Sequence, residues 1–518
     1  MITIPEMLAR NARMYPDDCA LVELKPSRKY RREITWREFD NEANRVTNAL
    51  LDAGIKEGDR VIHWMTNSID WLIAYFGILR TGAWVVPLNF RFTSQDLVYC
   101  ADISEAKTMI IGEEFIERAD AARPGLQGIK RFIAIADKAP GYMTHYRDFV
   151  AGAGEKASQI ELNDEAACSL YFTSGTTGTP KPILLTHNNL KSAAITEYAH
   201  HYQTREDNFI LIPPLYHTGS KMHWFGSLIV GSKATLLNDV GPRNVLESVD
   251  KEKGTIVWLL VPWAHDILVA FEKGELNKAD YNLDSWRLMH IGAQPVPPSL
   301  VRQWKQVFPA MQYDTNYGLS ESTGPGCVHL GIENEHKVGA IGRAGFNWET
   351  KIVDEKGNTL DKGQIGELVV KGDGVMKEYY KNPEKTGECL KEGWLYTGDM
   401  ATVDDDGFIF LVDRKKDLII TGGENIYPVE VEDTLHNHNK IYDAAVIGIP
   451  DERLGEIAVA IVDLKPGDSV TESEILDYCK LNLARHKVPR KIFFDKVPRN
   501  PTGKIEKPKL RVKYSPDK

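Results

Sequence analysis

The feature that most restricts the fold is an alternation of strand-like and helix-like segments in the first third of the chain. The segments GDRVIHW, SIDWLIAYFGILR and AWVVPLN follow one another and predict a strand, a helix and a strand. Before them, the capping box Thr35-Trp36-Arg37-Glu38 predicts the start of a helix, and Gly54 stands where a helix-ending glycine belongs. Such alternation indicates an α/β fold with largely parallel sheets.

The chain has 518 residues, which is more than one hydrophobic core usually holds, and its pattern changes near residue 415. Beyond that point a smaller α+β unit is predicted by PVEVEDTLHNH, YDAAVIGIP, EIAVAIVDL, TESEILDYCKLNLARH and KIFFDKVP. We therefore predict a large domain of layered sheets and helices over residues 1–413 and a small mobile domain over residues 414–518. The stretch VDRKKDLIITGGENIYP combines charge, paired glycines and a proline, as expected of a hinge.

Composition and charge argue against several classes of protein. The formal net charge is -10, whereas binding to duplex nucleic acid needs a concentrated basic face. Six scattered cysteines without a C-x-x-C pair predict reduced thiols. The N-terminus does not resemble a signal peptide, and the longest apolar stretch, Trp71 to Leu79, is far shorter than the roughly 20 residues that span a bilayer. We expect a soluble cytoplasmic protein, monomeric or homodimeric, without a membrane segment.

A polar loop, TSGTTGTPK, separates the strand-like segments CSLYF and ILLTH. Its glycines let backbone N–H groups approach an anion, its hydroxyls add donors, and Lys181 adds a positive charge, so a phosphate site fits. It is not a Walker A loop, because Gly175 and Gly178 are only three residues apart and Pro180 precedes the lysine. An ordinary surface turn has the same composition, so the loop residues alone leave both interpretations open.

The longer string YFTSGTTGTPK closely resembles the phosphate loop of the adenylate-forming superfamily. That superfamily comprises AMP-forming acyl-CoA synthetases, adenylation domains of peptide synthetases and beetle luciferases. Six further segments match its motifs in the expected order: PPLYHTG, IGAQPV, YGLSEST, YTGD, DRKKDLIITGGENIYPVEVE and NPTGKIEK. The chain departs from the pattern at Pro182, where glycine is usual, and at Ser320, where threonine is usual. Ser320 keeps the hydroxyl, whereas Pro182 removes an N–H donor after the loop.

The resemblance implies a carboxylate–CoA ligase that works in two steps. A carboxylate attacks the α-phosphate of ATP and releases pyrophosphate, and the thiol of coenzyme A then attacks the acyl-adenylate. The small domain rotates between the steps about a hinge that matches Lys416. The implied cofactors are ATP, Mg²⁺ and coenzyme A as co-substrate, and the remaining partner is a small carboxylic acid.

The resemblance also gives roles to residues around the reacting phosphate. Glu321 would bind Mg²⁺, which prefers oxygen ligands, and Ser320 would contact the α-phosphate. Lys504, from the small domain, would bridge the substrate carboxylate and the α-phosphate. His217 would contact the acyl group and the thiol channel rather than transfer a proton. The β- and γ-phosphates would be held by Thr173, Ser174, Gly175, Thr176, Thr177, Gly178 and Lys181.

The remaining implied contacts concern the nucleoside and the pantetheine arm. Asp399 and Arg414 would bind the ribose hydroxyls. Gly422 and Gly423 would leave room for pantetheine. The adenine and the start of the acyl pocket would be bordered by Gly292, Ala293, Gln294 and Tyr317.

The acyl pocket itself is outlined only coarsely. The residues near the positions that shape it in relatives are His223, Trp224, Trp263, His265 and His290. If the two tryptophans line the pocket, they shorten it and favour a compact acid, which could be alicyclic, aromatic, branched or of short or medium chain. Otherwise they are core residues. The run ARHKVPRK fits either a site for the 3′-phosphate of coenzyme A or a solvated basic face.

Two other functions stay open at this point. An adenylation enzyme that loads a separate carrier protein would use the same motifs with a different thiol. A nucleotide-binding sensor without catalysis would have lost motif residues, and here they are intact. The acidic run Asp404-Asp405-Asp406-Gly407 could pass for a metal site, but it precedes the strand-like FIFLV and is expected to be a hairpin turn.

Overall fold

The computed structural model of the chain describes residues 2–173, 180–293, 296–499 and 504–515. The strands are β1 Cys19–Lys25, β2 Tyr30–Thr35, β3 Arg60–Trp64, β4 Trp84–Pro87, β5 Thr108–Gly112, β6 Arg131–Ile135, β7 Thr144–His145, β8 Ala167–Thr173, β9 Lys181–Thr186, β10 Asn208–Leu211, β11 Lys233–Leu237, β12 Ile256–Leu260, β13 Leu288–Gly292, β14 Gln312–Tyr317, β15 Val328–His329, β16 Arg343–Ala344, β17 Trp348–Val353, β18 Gly366–Gly372, β19 Glu378–Tyr379, β20 Leu390–Lys391, β21 Trp394–Val403, β22 Ile409–Arg414, β23 Ile419–Thr421, β24 Glu424–Ile426, β25 Ile441–Asp451, β26 Gly455–Leu464 and β27 Lys491–Phe494.

Helices connect most of these strands. They are α1 Ile4–Met14, α2 Trp36–Asp52, α3 Ile69–Arg80, α4 Ser94–Ser104, α5 Ile116–Ala122, α6 Tyr146–Val150, α7 His187–His200, α8 Thr218–Trp224, α9 Gly226–Val230, α10 Pro242–Glu252, α11 Val261–Glu272, α12 Pro298–Val307, α13 Pro383–Cys389, α14 Pro428–His436, α15 Glu472–Asn482 and α16 Lys507–Tyr514. None of the helices in the described ranges has the length and apolar character that a bilayer crossing requires.

The described strands form four sheets. An eight-stranded sheet has the order β19-β9-β8-β4-β3-β5-β6-β7, and a nine-stranded sheet has the order β16-β15-β14-β13-β12-β10-β11-β1-β2. In both sheets the central strands are parallel. Antiparallel strands lie at both edges of the nine-stranded sheet and at the β19–β9 edge of the eight-stranded sheet, whereas β7 at its other edge is parallel. The helix–strand alternation in the sequence therefore predicted the fold class correctly.

Helices packed between the two large sheets build the main core. The helix α3 is buried on every side except at Asp70, which forms an ion pair with Arg32 at 2.9 Å. A helix that is apolar all round belongs inside a protein, and α3 accordingly contacts residues of both sheets within one cluster. The core thereby fixes the two sheets, and the strand ends that carry the polar motifs, relative to each other.

The two remaining sheets follow later in the chain. The third sheet joins β17, β18, β20, β21 and β22 in antiparallel pairs. The fourth sheet, formed by β23 to β27, carries α14, α15 and α16 and has its own apolar clusters, which is the predicted small α+β unit. The term "small lobe" below means residues 415–515, and "large lobe" means the part of the chain before them.

Several local predictions are confirmed. The helix α2 follows the predicted cap, where the Thr35 hydroxyl accepts from the Glu38 N–H at 3.2 Å and the Glu38 carboxylate accepts from the Thr35 N–H at 2.7 Å. The acidic run is a turn between β21 and β22, because Asp404 Oδ1 accepts from the backbone N–H groups of Asp406 and Phe408. All six cysteines are free thiols, and four of them are buried.

Candidate active site

Two neighbouring parallel strands of the nine-stranded sheet end at the candidate site. The strand β13 ends at Gly292 and β14 ends at Tyr317. A Cβ atom at Gly292 would lie 3.2 Å from the side-chain oxygen of Asn316, so the two strand ends approach closely. Ala293 follows with a φ of +70°, a strained backbone conformation of the kind that is stored at functional sites. Ligands of α/β proteins bind beyond the carboxyl ends of such strands.

A carboxylate on the third sheet faces the end of β14. Asp399 on β21 lies opposite Arg414 on β22, and the Arg414 Nε is 3.2 Å from Asp399 Oδ1. The Tyr317 hydroxyl donates to Asp399 Oδ2 at 2.5 Å. The structure thus brings Tyr317 together with two residues that lie about 80 and about 100 positions later in the sequence. Asp399 is thus held by a phenol and a guanidinium.

The other acidic residue of the site is Glu321, in a short 3₁₀-helix, Ser320–Ser322, directly after β14. Its Oε1 accepts from the Tyr379 hydroxyl at 2.6 Å. The ammonium of Lys181 lies 5.9 Å from the centre of the Tyr379 ring. Tyr379 therefore connects the lysine after the polar loop with the carboxylate expected to bind Mg²⁺. Tyr379 is not among the residues predicted from the sequence.

The polar loop connects β8 and β9, which pair antiparallel with Thr173 opposite Lys181. Thr173 and Lys181 are thus the two ends of a hairpin loop in the eight-stranded sheet, between ordered strands as predicted. The implied phosphate contacts Ser174, Gly175, Thr176, Thr177 and Gly178 lie outside the described residues, as does Gln294.

Lys504 brings the small lobe to the site. Its side chain is half-buried, and its electrostatic neighbours are Arg414, Asp399, Glu321 and Lys416. Burial and the positive charge of Arg414 lower the pKa of Lys504 to about 8, while the carboxylates of Asp399 and Glu321 act in the opposite direction. A lysine far along the sequence therefore lies within electrostatic range of the two carboxylates of the large lobe.

His217 lies at the start of α8, and its Nε2 is buried without a hydrogen-bond partner in the described part of the chain. Burial lowers the pKa of His217 to about 3, with smaller effects from Lys221 and Lys504. A neutral imidazole of this kind suits contact rather than proton transfer at neutral pH. The buried ammonium of Lys221 donates to the carbonyl groups of Leu215 and His217 at 3.0 and 3.1 Å and so fixes this loop.

The first three of the five residues considered for the acyl pocket lie in different places. His223 is beside the strand ends, because its Nε2 is 2.8 Å from the side-chain nitrogen of Asn316. Trp224 packs against Phe76 and Phe225 in the main core. Trp263 borders a separate cavity of about 500 Å³.

Several large side chains pack around His223. The Trp258 ring stacks on the His223 ring at 4.0 Å, and the His290 ring lies 4.7 Å from it. His265 is elsewhere, with its ring 5.5 Å from the ring of Tyr442 in the small lobe.

The hinge and pantetheine candidates lie just after β22. Lys416 lies two residues after Arg414, where β22 ends, and the next residue, Asp417, accepts from Arg511 of α16 at 2.8 Å. Gly422 and Gly423 form the turn between β23 and β24 with φ values of +57° and +87°, which glycine adopts without steric cost. Both glycines belong to the small lobe.

Two family models match the chain. The model described as AMP-binding enzyme covers residues 8–380, and the model described as AMP-binding enzyme C-terminal domain covers residues 430–504. The chain belongs to the AMP-binding enzyme family. The first match contains Thr173, Lys181, Tyr317 and Glu321, and the second ends at Lys504.

Relatives of this family match over nearly the whole chain. The chain is 32% identical over 532 residues to the long-chain-fatty-acid–CoA ligase FadD13 of Mycobacterium tuberculosis, covering 99% of each chain. It is 32% identical over 508 residues to the feruloyl-CoA synthase of an Amycolatopsis species, covering 98% of each. The crystal structure of the anthranilate CoA ligase AuaEII with anthranoyl-AMP superposes with a TM-score of 0.90 at 27% identity, covering 99% of this chain and 97% of the other.

The chain is therefore an AMP-forming acid–CoA ligase that uses ATP, Mg²⁺ and coenzyme A, as the sequence predicted. Glu321 fits the metal, because Mg²⁺ usually takes one or two protein carboxylates together with phosphate oxygens. When bound, the ion offsets negative charge on the phosphates.

Proposed function

We propose that this ligase activates compact carboxylic acids and that its small lobe alternates between an adenylating and a thioester-forming position. The single observation that carries the alternation is the position of Lys504. An ammonium from the small lobe lies among Asp399, Glu321 and Arg414, which all precede the hinge region. Withdrawing the Lys504 ammonium from the site requires movement of the small lobe relative to the large lobe, since these three residues belong to the large lobe.

The chemistry explains why such a lysine is needed. Two unit charges about 4 Å apart repel by about 4 kcal/mol at an effective dielectric constant near 20, so a carboxylate resists approach to a polyphosphate. Positive groups fixed at the reacting atoms offset that repulsion in the transition state. Lys504 would do so at the carboxylate and the α-phosphate, while Lys181 and the preceding loop would hold the outer phosphates.

The roles of the remaining residues follow from their contacts. Asp399, oriented by Tyr317 and Arg414, would accept hydrogen bonds from the ribose. Ser320 would reach the α-phosphate from the 3₁₀-helix that also carries Glu321. Once the lobe has rotated about Lys416, the turn of Gly422 and Gly423 would border the pantetheine arm.

The preference for a compact acid rests on the side chains beneath Gly292. Trp258, Asn316 and His223 pack together there, and Trp258 stacks on His223. They replace Trp224 and Trp263 as the support for a short pocket, because those two tryptophans lie in the main core and beside another cavity. The relatives are named after both long-chain and aromatic acids, so their names do not choose between the classes.

One experiment tests the acid and the alternation together. A panel of aromatic, alicyclic, branched and long-chain acids is screened for pyrophosphate release, and the best acid is then used in two half-reactions of Lys504→Ala. We expect adenylate formation to fall at least about 100-fold, the scale of losing one transition-state donor. Thioester formation from supplied acyl-adenylate should stay within a few-fold of wild type.

The matched control is Lys509→Ala, since Lys509 is an exposed lysine on the same lobe that pairs with Glu506. It should leave both half-reactions unchanged. Equal losses in the two half-reactions of Lys504→Ala would contradict the alternation. A long-chain acid as the best substrate would contradict the compact pocket.

A further inference from the structure

Histidines and carboxylates gather in a second place, inside the large lobe and next to His223, whose ring lies 4.7 Å from the ring of His290. Glu197 and His201 lie at the end of α7, His290 on β13, Asp314 on β14 and His329 on β15. All five side chains are 0% exposed. We name these five residues the histidine cluster. No step proposed above uses it.

Three atoms of the histidine cluster stand at separations typical of metal ligands. His201 Nε2 and His290 Nδ1 are 3.0 Å apart, and they lie 3.5 and 3.6 Å from the same oxygen, Asp314 Oδ2. A tetrahedral zinc ion with bonds of about 2.0–2.1 Å separates its ligands by roughly 3.3 Å. The three atoms thus occupy three corners of such a polyhedron, and a fourth corner is left for a water molecule.

Glu197 stands where a carboxylate supports metal-binding histidines. Its Oε2 lies 3.3 Å from His201 Nδ1, the ring nitrogen that faces away from Asp314. Its Oε1 lies 3.6 Å from His329 Nε2, while His329 Nδ1 is hydrogen-bonded to Asp314 Oδ2 at 3.3 Å. Metal-binding histidines commonly donate their far N–H to a carboxylate, which fixes the tautomer and the ring orientation.

Unpartnered atoms point to a missing ligand. Among the described residues, no well-aligned hydrogen bond is made by either carboxylate oxygen of Glu197, His201 Nδ1, His290 Nε2 or His329 Nε2, although all are buried. Buried polar atoms are nearly always paired, so five such atoms in one cluster need an explanation. A cation bound between His201, His290 and Asp314 would draw His201 Nδ1 towards Glu197 and balance the buried negative charge.

A second group of three residues is less suitable as a metal site. Glu197, His223 and His290 also lie close enough to hold an ion. Both ring nitrogens of His223 are engaged, however, Nδ1 by the Gly219 carbonyl and Nε2 by the Asn316 amide. The triad with Asp314 does not require these contacts to break.

We propose that His201, His290 and Asp314 bind one divalent transition-metal ion, zinc by preference, and that Glu197 orients His201. Two imidazole nitrogens and one carboxylate suit zinc, whereas Mg²⁺ prefers oxygen ligands. The ion joins α7, β13 and β14 behind the strand ends of the active site and has a structural role. The proposal does not depend on the acid that the enzyme activates or on movement of the small lobe.

The test is elemental analysis of the full chain, purified without a histidine tag and desalted after exposure to EDTA under native conditions. We expect about one zinc ion per chain in the wild type and less than about a tenth of that in His201→Gln, which loses a ligand. Protein produced with cobalt in place of zinc should show the visible absorption of a tetrahedral nitrogen- and oxygen-ligated ion.

The matched control is His336→Gln, since His336 is an exposed histidine of the same lobe, and its zinc content should equal that of the wild type. Wild-type protein without zinc and without a cobalt spectrum would overturn the proposal and would leave a shared proton between His201 and His290 as the explanation of their 3.0 Å contact. Unchanged zinc in His201→Gln would overturn it as well. If that variant does not fold, the wild-type zinc content and cobalt spectrum still decide.

Discussion

The active site and the histidine cluster are two groups of polar residues that share the strand β14, where Tyr317 and Asp314 lie on opposite faces. Successive side chains of a strand alternate between its two faces, so Tyr317 and Asp314 on β14 point in different directions. Tyr317 meets Asp399 and, through it, Arg414, whose side chain is 39% exposed. Asp314 meets three histidines that are 0% exposed. The same strand therefore takes part in two groups. The open group is formed by Tyr317, Glu321, Asp399, Arg414 and Lys504, and the closed group is the histidine cluster.

The two groups differ in burial, and this difference predicts which substitutions affect catalysis and which affect stability. At the open group the side chains come from both lobes, so a conformational change can add or remove charge. In the closed group burial lowers the pKa of His201 to about 3 and raises the pKa of Glu197 well above its usual value. Asp314 is the exception, since hydrogen bonds from the histidines outweigh burial and lower its pKa. We expect changes in the closed group to affect stability and changes in the open group to affect catalysis.

The largest expected effect is on stability. Asp314→Ala would leave His201, His290 and His329 without their common acceptor inside the core. We expect the apparent free energy of unfolding to fall by about 3 kcal/mol, the scale of breaking a buried polar network. Urea denaturation followed by tryptophan fluorescence measures the change.

Asp468→Ala is the control for Asp314→Ala, since Asp468 is exposed and lies in the small lobe. It should leave the urea midpoint unchanged. If Asp314→Ala were as stable as the wild type but inactive, the division between a structural and a catalytic group would fail.

The next effect concerns catalysis. Asp399→Ala removes the acceptor that Tyr317 and Arg414 orient. Losing a hydrogen bond to a charged group costs about 2 kcal/mol, so we expect KM for ATP to rise about 30-fold. Initial rates of pyrophosphate release at varied ATP concentration measure this, and the urea midpoint should move much less than in Asp314→Ala.

Asp405→Ala serves as the control for Asp399→Ala, because Asp405 is an exposed residue of the turn that follows the same strand. Its KM for ATP should match that of the wild type. An unchanged KM in Asp399→Ala would show that this carboxylate does not contact the nucleotide.

The open group could be predicted from the sequence, whereas of the closed group only His290 was singled out, and then as an acyl-pocket candidate. Tyr317, Glu321, Asp399 and Arg414 each lie in a short contiguous string, so a local match is enough to find them. The histidine cluster draws one residue from each of three strands, and its only local signal is the i, i+4 spacing of Glu197 and His201. Side chains that come together only because their strands are neighbours in a sheet are far apart in the sequence, so they form no local motif that can be recognised.

The same reason explains two smaller differences at the site. Tyr379 reaches Glu321 because β19 pairs with β9 at the edge of the eight-stranded sheet, a long-range contact. His223 and Trp224 are neighbours in sequence, but adjacent residues of a helix point about 100° apart, so one reaches the strand ends and the other reaches the core. Strand and helix positions were predicted well because they depend on local patterns.

The smallest expected effect is a pH dependence of the open group. Lys504 has a pKa of about 8 at the site, so its ammonium is present below that pH and is lost above it. We expect kcat/KM for adenylate formation to be level below about pH 8 and to fall by up to about tenfold per pH unit above, because kcat/KM reports ionisation of the free enzyme. Bound phosphates stabilise the ammonium, so the fall in kcat should begin at a higher pH.

Lys504→Arg tests whether this lysine is the titrating group. An arginine stays protonated over the whole range, so the alkaline fall in kcat/KM should vanish even if the maximal rate is lower, because a guanidinium differs in shape from an ammonium. The same fall in Lys504→Arg would assign the titration to another residue. It would also remove the electrostatic support for placing the small-lobe lysine between Asp399 and Glu321, on which the contrast between the open and the closed group depends.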